Sequence, residues 1–407
     1  MELSKFTEVT LLCPNQCELQ ADFKIFKITK EILKKELVTA DSVILQGVTL
    51  WQFPFIKKHN VPIIVDLYDP FMFENFEIDK GSSNSDDLHL SSLTIILDQL
   101  MAGDYFICAS EKQRDLWIGM LTAINRINAK EYSIDPTLNH LISVVPFGMP
   151  AARPEITSRV LKGIYPGIEE TDKVVIWGGG IWDWLDPLTA VLSINELSKE
   201  REDIKLFFMG IKHPNNKIPM TNKASETIRL SNSLDLTGKK VFFNEWVDYS
   251  ERHNYLLESD IGLSLHENHV ETRYAFRTRI LDYLWCNLPV ISNGGDTLSE
   301  IILKNKVGEV IPTNSPSQLA FAIKKLLESS VRREISDNFQ RVGNDLHWNT
   351  TTKPLIKFCE EPKLSIGKNL AISNKSLYSD KRIKLIKLVK YLKRGDFKTI
   401  YMKIRGK

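Results

Sequence analysis

Ser259-Asp-Ile-Gly-Leu-Ser-Leu-His-Glu-Asn-His-Val-Glu-Thr-Arg-Tyr-Ala-Phe-Arg-Thr-Arg-Ile-Leu-Asp-Tyr-Leu-Trp-Cys-Asn-Leu-Pro-Val-Ile-Ser292 holds a whole folding unit. A short apolar run predicts a strand ending near Leu265, and a polar loop follows it. Apolar periodicity then predicts a helix from about Phe276 to Cys286, and Pro289 opens a second strand. Buried strands that read as continuous apolar runs, joined through helices, are the pattern of a parallel sheet. The same alternation extends in both directions. Strands are expected at 8–12, 40–45, 61–67, 105–109 and 141–145, then at 173–177, 205–209, 240–243, 261–265, 289–292 and 307–311. The fold class is therefore α/β. Pro146, Gly148, Pro150 and Pro154 interrupt it and divide the chain. Four segments are expected: an N-terminal domain at 1–150, a C-terminal domain at 151–342, a returning helical region at 343–375 and a tail at 376–407.

Composition fits two folded domains. The 407 residues are 43% hydrophobic and 26% charged, with a net charge of +2. Five scattered cysteines with no C-x-x-C pattern suggest neither a disulfide framework nor a zinc site. No apolar run is long enough to cross a bilayer, and Glu2, Lys5 and Glu8 rule out a leader pattern in the first ten residues, so a cytoplasmic protein is expected. The charge is unevenly placed. Residues 381–407 hold 11 Lys/Arg against the single acid Asp396, or +10, which leaves −8 on the rest. Apolar residues such as Ile383, Leu385, Ile386 and Leu388 sit between those lysines. The tail reads as a basic amphipathic helix suited to an anionic membrane surface, on the inner face of the plasma membrane. It lacks the aromatic interleaving of a nucleic-acid reader, so no nucleic acid is expected as a partner.

In open parallel sheets ligands collect at the carboxyl ends of strands, so the loops that follow strands matter most. Gly178, Gly179 and Gly180 lead through Trp182 and Trp184 to Asp186 and Pro187, a cap and first-turn pair for the next helix. A phosphate or sugar could press against such a backbone, and a plain tight turn would read the same way. After the strand at 261–265 come His266, Glu267, His269, Glu271, Arg273, Arg277 and Arg279. Arg277 and Arg279 offer planar forks for a diphosphate, and Asp282 could accept from ribose hydroxyls. His266 and His269 lack a third ligand at metal spacing, so no metal is expected. Gly294 and Gly295 precede Asp296 and Thr297, whose amides would face an anion if they open a helix. In the first half, Asp66 and Asp69 follow a buried strand, as caps or as acceptor-side groups.

These loops, in this order, resemble the GT-B glycosyltransferases, specifically the retaining family 4 group that uses nucleotide-sugar donors. The signature of an acid, a short helix, Gly-x-Pro-Val-Ile and a Gly-Gly-x-x-Glu turn reads here as Asp282 to Ile291, then Gly294 to Glu300. The runs from Glu271 to Asp282, Gly178 to Pro187, Asp66 to Phe71 and Ala109 to Trp117 are similar to a bacterial surface-polysaccharide subgroup. The resemblance implies two Rossmann-like domains facing across a cleft. It implies transfer of a sugar from a nucleoside-diphosphate sugar to a glycan or lipid-linked acceptor, with retention and no metal or other cofactor. On that pattern Gly179, Gly180, Trp182, Trp246, Val247, His266, Arg277, Arg279, Asp282, Asp296 and Thr297 would bind the donor, and Asp69, Glu271 and Arg277 would act in catalysis.

The departures are specific. The family's paired glutamates fall at Tyr274 and Asp282, so Glu271 or Glu267 must stand in for the first. The basic pair of the first C-domain loop is missing, which shifts the diphosphate to Arg277 or Arg279. A His-Asp pair reads Tyr68-Asp69, and the N-domain is expected to lack a first βα unit. Two other readings stand beside transfer: a sugar-nucleotide epimerase, and a non-catalytic nucleotide-sugar-binding subunit of an assembly complex.

Overall fold

The computed structural model describes residues 1–371 apart from 18, 82, 216, 217, 340 and 343, so the basic tail lies outside the described residues. All strand pairings are parallel. In the first half, β1 (Thr10–Cys13) pairs with β2 (Lys24–Lys27) as a separate ribbon. β3 (Val43–Gln46), β4 (Ile63–Asp66), β5 (Tyr105–Cys108) and β6 (Ile142–Val144) form a four-stranded sheet in that order. The second half contributes β7 (Lys173–Gly180), β8 (Ile204–Gly210), β9 (Val241–Phe243), β10 (Ile261–Ser264), β11 (Val290–Asn293) and β12 (Gly308–Ile311). Their order across the sheet is β12-β11-β10-β7-β8-β9, so the winding reverses between β7 and β10. A crevice opens outside the carboxyl ends of the strands at such a reversal.

Sequence and sheet agree because the central strands are buried on both faces. Ile63, Ile64 and Val65 are buried, as are Val174, Val175, Ile176 and Trp177. Two small residues make the close spacing at the reversal possible. A Cβ on Gly262 would stand 2.7 Å from the Tyr283 ring, and one on Gly178 would stand 2.9 Å from its hydroxyl. Tyr283 fills that space. Its hydroxyl accepts from the Gly178 N–H at 2.7 Å and donates to the Leu263 carbonyl at 2.8 Å, tying β7 to β10.

One strand and one helix differ from expectation. β2 escapes a periodicity reading because Lys24-Ile-Phe-Lys27 is short, charged at both ends and largely exposed. The helix expected from about Phe276 to Cys286 is present as Thr278–Trp285, but the stretch before it, read as a polar loop, holds a further short helix, Val270–Tyr274, separated from it where Ala275 is extended. His269 caps the first, its Nδ1 accepting from the Thr272 N–H at 3.3 Å.

The chain crosses between the halves twice, side by side. Met149 N–H donates to the Leu346 carbonyl and Trp348 N–H to the Met149 carbonyl, while a Cβ on Gly148 would lie 2.6 Å from Trp348 N. The helix Lys353–Glu360 then packs on the N-terminal sheet, with Leu355 in one cluster with Ile64, Tyr105 and Ile107. Among the described residues no helix is long and apolar enough to cross a membrane.

Candidate active site

The loops after β7, β10 and β11 meet the loop after β4 and the first turn of the helix Glu111–Ala123. At the end of β7 the register with β8 shifts between Trp177 and Gly180, and Gly179 takes φ +82°, where only glycine is unstrained. The Arg279 guanidinium packs 5.0 Å over the Trp177 ring, and its Nη2 donates to the Gly180 carbonyl at 3.0 Å. Burial pulls its pKa down to about 10, and its Nη1 is buried with no protein partner. Trp182 stacks on Trp184 at 5.4 Å, nearly coplanar at 2°, and remains 36% exposed.

Arg277 is placed differently. Its Nη2 lies 2.6 Å from Glu271 Oε2, both side chains being almost wholly buried, so one arm of its fork is taken by a carboxylate. Arg277 and Arg279, equivalent in the sequence, are thus distinct. One is clamped by an acid, and the other is held by the backbone of a glycine loop.

Eight buried side-chain polar atoms make no hydrogen bond within the protein among the described residues. Six of them fall on one end of the C-terminal sheet: Asp186 Oδ2, Ser264 Oγ, Arg277 Nε and Arg279 Nη1 have no partner, whereas His266 Nε2 and Asp296 Oδ2 face each other at 3.5 Å. Buried polar groups are ordinarily paired, so their concentration at the sheet's reversal marks a place built for a polar ligand. Two of the expected donor residues are held back from the surface. His266 has no exposure and lies 3.5 Å from Asp296, so it braces the loop from beneath. Asp296 is fully buried and caps the helix Thr297–Asn305 through the Ser299 N–H. Asp282 is also engaged, its Oδ1 accepting from Arg252 Nε at 3.0 Å. Arg252 in turn lies 3.6 Å over the Tyr249 ring. Trp246 is 41% exposed and packs along Gly210, where a Cβ would meet its ring at 3.3 Å, and half-buried Val247 follows it.

Across the gap, Tyr68 donates its hydroxyl to the Phe276 carbonyl at 3.3 Å, and Phe73 stacks on Tyr274 at 5.6 Å. Gln113 is completely buried. Its Oε1 accepts from the Ala109 N–H, and its Nε2 donates at 2.7 Å to the carbonyls of both Tyr68 and Tyr274. Lys112 donates to the Gly295 carbonyl at 2.8 Å and pairs with Glu300. Asp69, Glu74 and Glu271 gather near Arg277 with too little positive charge to match them. Burial, then Glu271 and Asp66, push Asp69 up to about 6, while burial, then Asp69 and Glu271, push Glu74 up to about 8. Glu74 and Gln113 were not singled out in the sequence. The signal for Glu74 was a lone acid among Phe71, Met72, Phe73 and Phe76, while a glutamine in a helix's first turn gives none. Among the described residues no group of His, Cys, Asp or Glu is arranged to hold a metal ion.

Residues 167–342 match the family model described as glycosyl transferases group 1. No curated protein matches the chain in sequence. Among solved structures the chain is similar to WaaG, a glycosyltransferase involved in lipopolysaccharide biosynthesis, at 14% identity and TM-score 0.61, over 88% of this chain and 93% of that one. It is similar to a glycosyltransferase from Rickettsia africae at 15% identity and TM-score 0.56, over 89% and 94%. It is also similar to Anabaena HepE, solved with UDP, at 11% identity and TM-score 0.54, over 83% and 86%. The fold is α/β, with two Rossmann-like domains in the GT-B arrangement.

Proposed function

We propose that the protein transfers a sugar, with retention, from a nucleoside-diphosphate sugar to a hydroxyl of a glycan or lipid-linked acceptor. The observation that carries this reading is the set of four buried polar atoms without a partner near the reversal between β7 and β10, Asp186 Oδ2, Ser264 Oγ, Arg277 Nε and Arg279 Nη1, two of them on guanidinium groups. The UDP held by the Anabaena neighbour supports a nucleoside diphosphate as the ligand class.

In this reading the C-terminal domain grips the diphosphate. Arg279 and the amides of Gly179, Gly180 and Thr297 face the charge that grows as the sugar–oxygen bond breaks and its electron pair moves to the leaving phosphate. Preorganised donors of this kind act most strongly where water is excluded. Arg277, held by Glu271, adds a second positive centre on the acceptor side. Trp246 and Val247 border the base, Asp282 the ribose, and Trp182 the sugar. The acceptor oxygen attacks from the face the leaving group departs, and its proton passes to a departing phosphate oxygen. Asp69 positions the acceptor hydroxyl, and closure of the domains brings it to the sugar. The guanidinium groups and amides supply the positive charge, so no metal cofactor is required. Turnover that survives a chelator supports that part, and dependence on added divalent cation contradicts it.

The setting is synthesis of surface polysaccharide or lipopolysaccharide, at the cytoplasmic face of the membrane. The basic stretch 381–407 would hold the protein to anionic lipid at about 1 kcal/mol per basic residue near the surface. Sedimentation with anionic vesicles and not with neutral ones is the expected outcome. Equal sedimentation with both, or none with either, removes the membrane assignment.

A second reading has a specific observation behind it. Tyr274, at the position where the family pattern has an acid, is stacked on Phe73 and offers Gln113 only its carbonyl. A binding subunit without catalysis would look the same. Incubation of the full chain with nucleotide sugars decides: release of nucleoside diphosphate, slowly to water or faster to an acceptor glycan, supports transfer. Binding with no release supports the subunit.

A further inference from the structure

We propose that the groove between the two N-terminal sheets is the seat of one more parallel strand, a single extended stretch of aliphatic polypeptide that adds between β1 and β3. The groove has a volume of about 1870 Å³ and is lined by Thr10, Leu11 and Leu12 on one bank and Val43, Ile44, Leu45 and Gln46 on the other. Among the described residues β1 pairs only with β2, and β3 only with β4. β1 and β2 are parallel, and β2 reaches β3 through the helix Lys30–Thr39, a connection that returns the chain to run in the same direction. The two banks therefore run the same way.

The backbone shows what the groove lacks. Val43 N–H donates to the Pro62 carbonyl on the β4 side, so Val43 and Leu45 address β4 while Ile44 and Gln46 turn their peptide groups to the groove. Cys13 accepts from the Ile28 N–H on the β2 side, so Cys13 and Leu11 address β2 while Thr10 and Leu12 turn away from it. The Gln46 carbonyl is capped by the Thr49 hydroxyl at 2.8 Å, which leaves its N–H. Two unpaired edges with the same direction form a template for a strand. An acyl chain would fill the volume but satisfy none of these donors and acceptors.

The covering on both sides fixes the chemistry of the occupant. Leu33 and Leu37 share a core with Val65, whereas Leu355 shares one with Ile64. Neighbouring strand residues point to opposite faces, so these leucines cover the groove from the two sides of the sheet. A strand here must be apolar on both faces, as central parallel strands are. Ile44, in the middle of β3, is 42% exposed beside the groove and would be covered by it. The groove also reaches Asp66 and Asp69, so the carboxyl end of a seated strand would border the acceptor side of the cleft.

Met1 lines the groove, so a tethered probe can reach it. The test fuses a strand of about six Val and Ile residues, an ordinary strand length, to Met1 of the full chain through a flexible Gly/Ser linker. The comparison protein carries proline at the strand's centre, which cannot donate to a ladder. Hydrogen exchange is followed at 10–12 and 43–46. Exchange slowed by ~100-fold on both banks in the first fusion, and unchanged in the proline version, is the expected result. Unchanged exchange on either bank overturns the proposal. So does equal protection in the proline fusion, or equal protection of the unfused chain by dodecyl maltoside, which would make the groove an acyl-chain site.

Discussion

At the scale of single residues, the contrast between Arg277 and Arg279 organises the site. Their spacing in the sequence offered two equivalent forks, and only the fold shows that Glu271 holds one of them at 2.6 Å. Breaking a buried ion pair from one side leaves the other charge stranded, at a typical cost of about 3–5 kcal/mol. Arg277→Ala is therefore expected to lower unfolding stability by about that amount, and pairing it with Glu271→Gln should restore part of the loss. Urea unfolding of the three variants checks this; a double variant no more stable than Arg277→Ala would show that the pair is not the source. The glycine, cap and arginine positions could be picked out one by one, because a missing Cβ, a capping side chain and a guanidinium each carry a local constraint. Glu74 and Gln113 were not, since their roles depend on which domain surface they face.

At the scale of elements, eleven of the twelve strands among the described residues could be read from apolar runs, most clearly the central ones, because strands buried on both faces need no partner information to be recognised. β2 could not, because its exposed pattern depends on pairing with β1 alone. The break between Val270–Tyr274 and Thr278–Trp285 was hidden for another reason: it is held from outside, by Gln113 reaching the Tyr274 carbonyl and Tyr68 reaching the Phe276 carbonyl. The first turn of the helix Glu111–Ala123 thus acts as a clasp on the loop after β10, with Lys112 on Gly295 as its second hook. Gln113→Glu places a carboxylate against two carbonyl oxygens, and Gln113→Ala leaves both unpartnered. Small-angle scattering should show a larger radius for both variants, with the glutamate the larger. A radius equal to that of the parent protein in both would mean the clasp does not hold the domains.

At the scale of the whole molecule, closure buries acids from both sides of the cleft. Asp69 and Glu74 move from ordinary values of 3.8 and 4.5 up to about 6 and about 8, chiefly through burial. Across that window the folded chain holds protons that the unfolded chain has released, so stability falls as pH rises. The decline should run from about pH 4 to about pH 8, the interval these shifts span, and flatten above it. Glu74→Gln should flatten the upper part of the curve, between about 6 and about 8. Unfolding free energies measured across pH test this, and a rise in stability through that interval that Glu74→Gln leaves unchanged would contradict it. The α/β fold was readable from the alternation of apolar runs and helices, whereas this charge imbalance arises only when distant loops are brought together.

In the proposed mechanism the end of β7 and the start of the helix Thr278–Trp285 form a diphosphate grip whose charged member is Arg279. Calorimetric titration of the full chain with UDP, GDP, ADP and CDP, repeated on Arg279→Ala, tests it most directly. At least one nucleotide should bind the parent protein, and the variant should bind it ~10–100-fold more weakly, the loss of a hydrogen bond to a charged group. Binding of equal strength in both proteins, or no binding of any of the four to a folded parent chain, would contradict it.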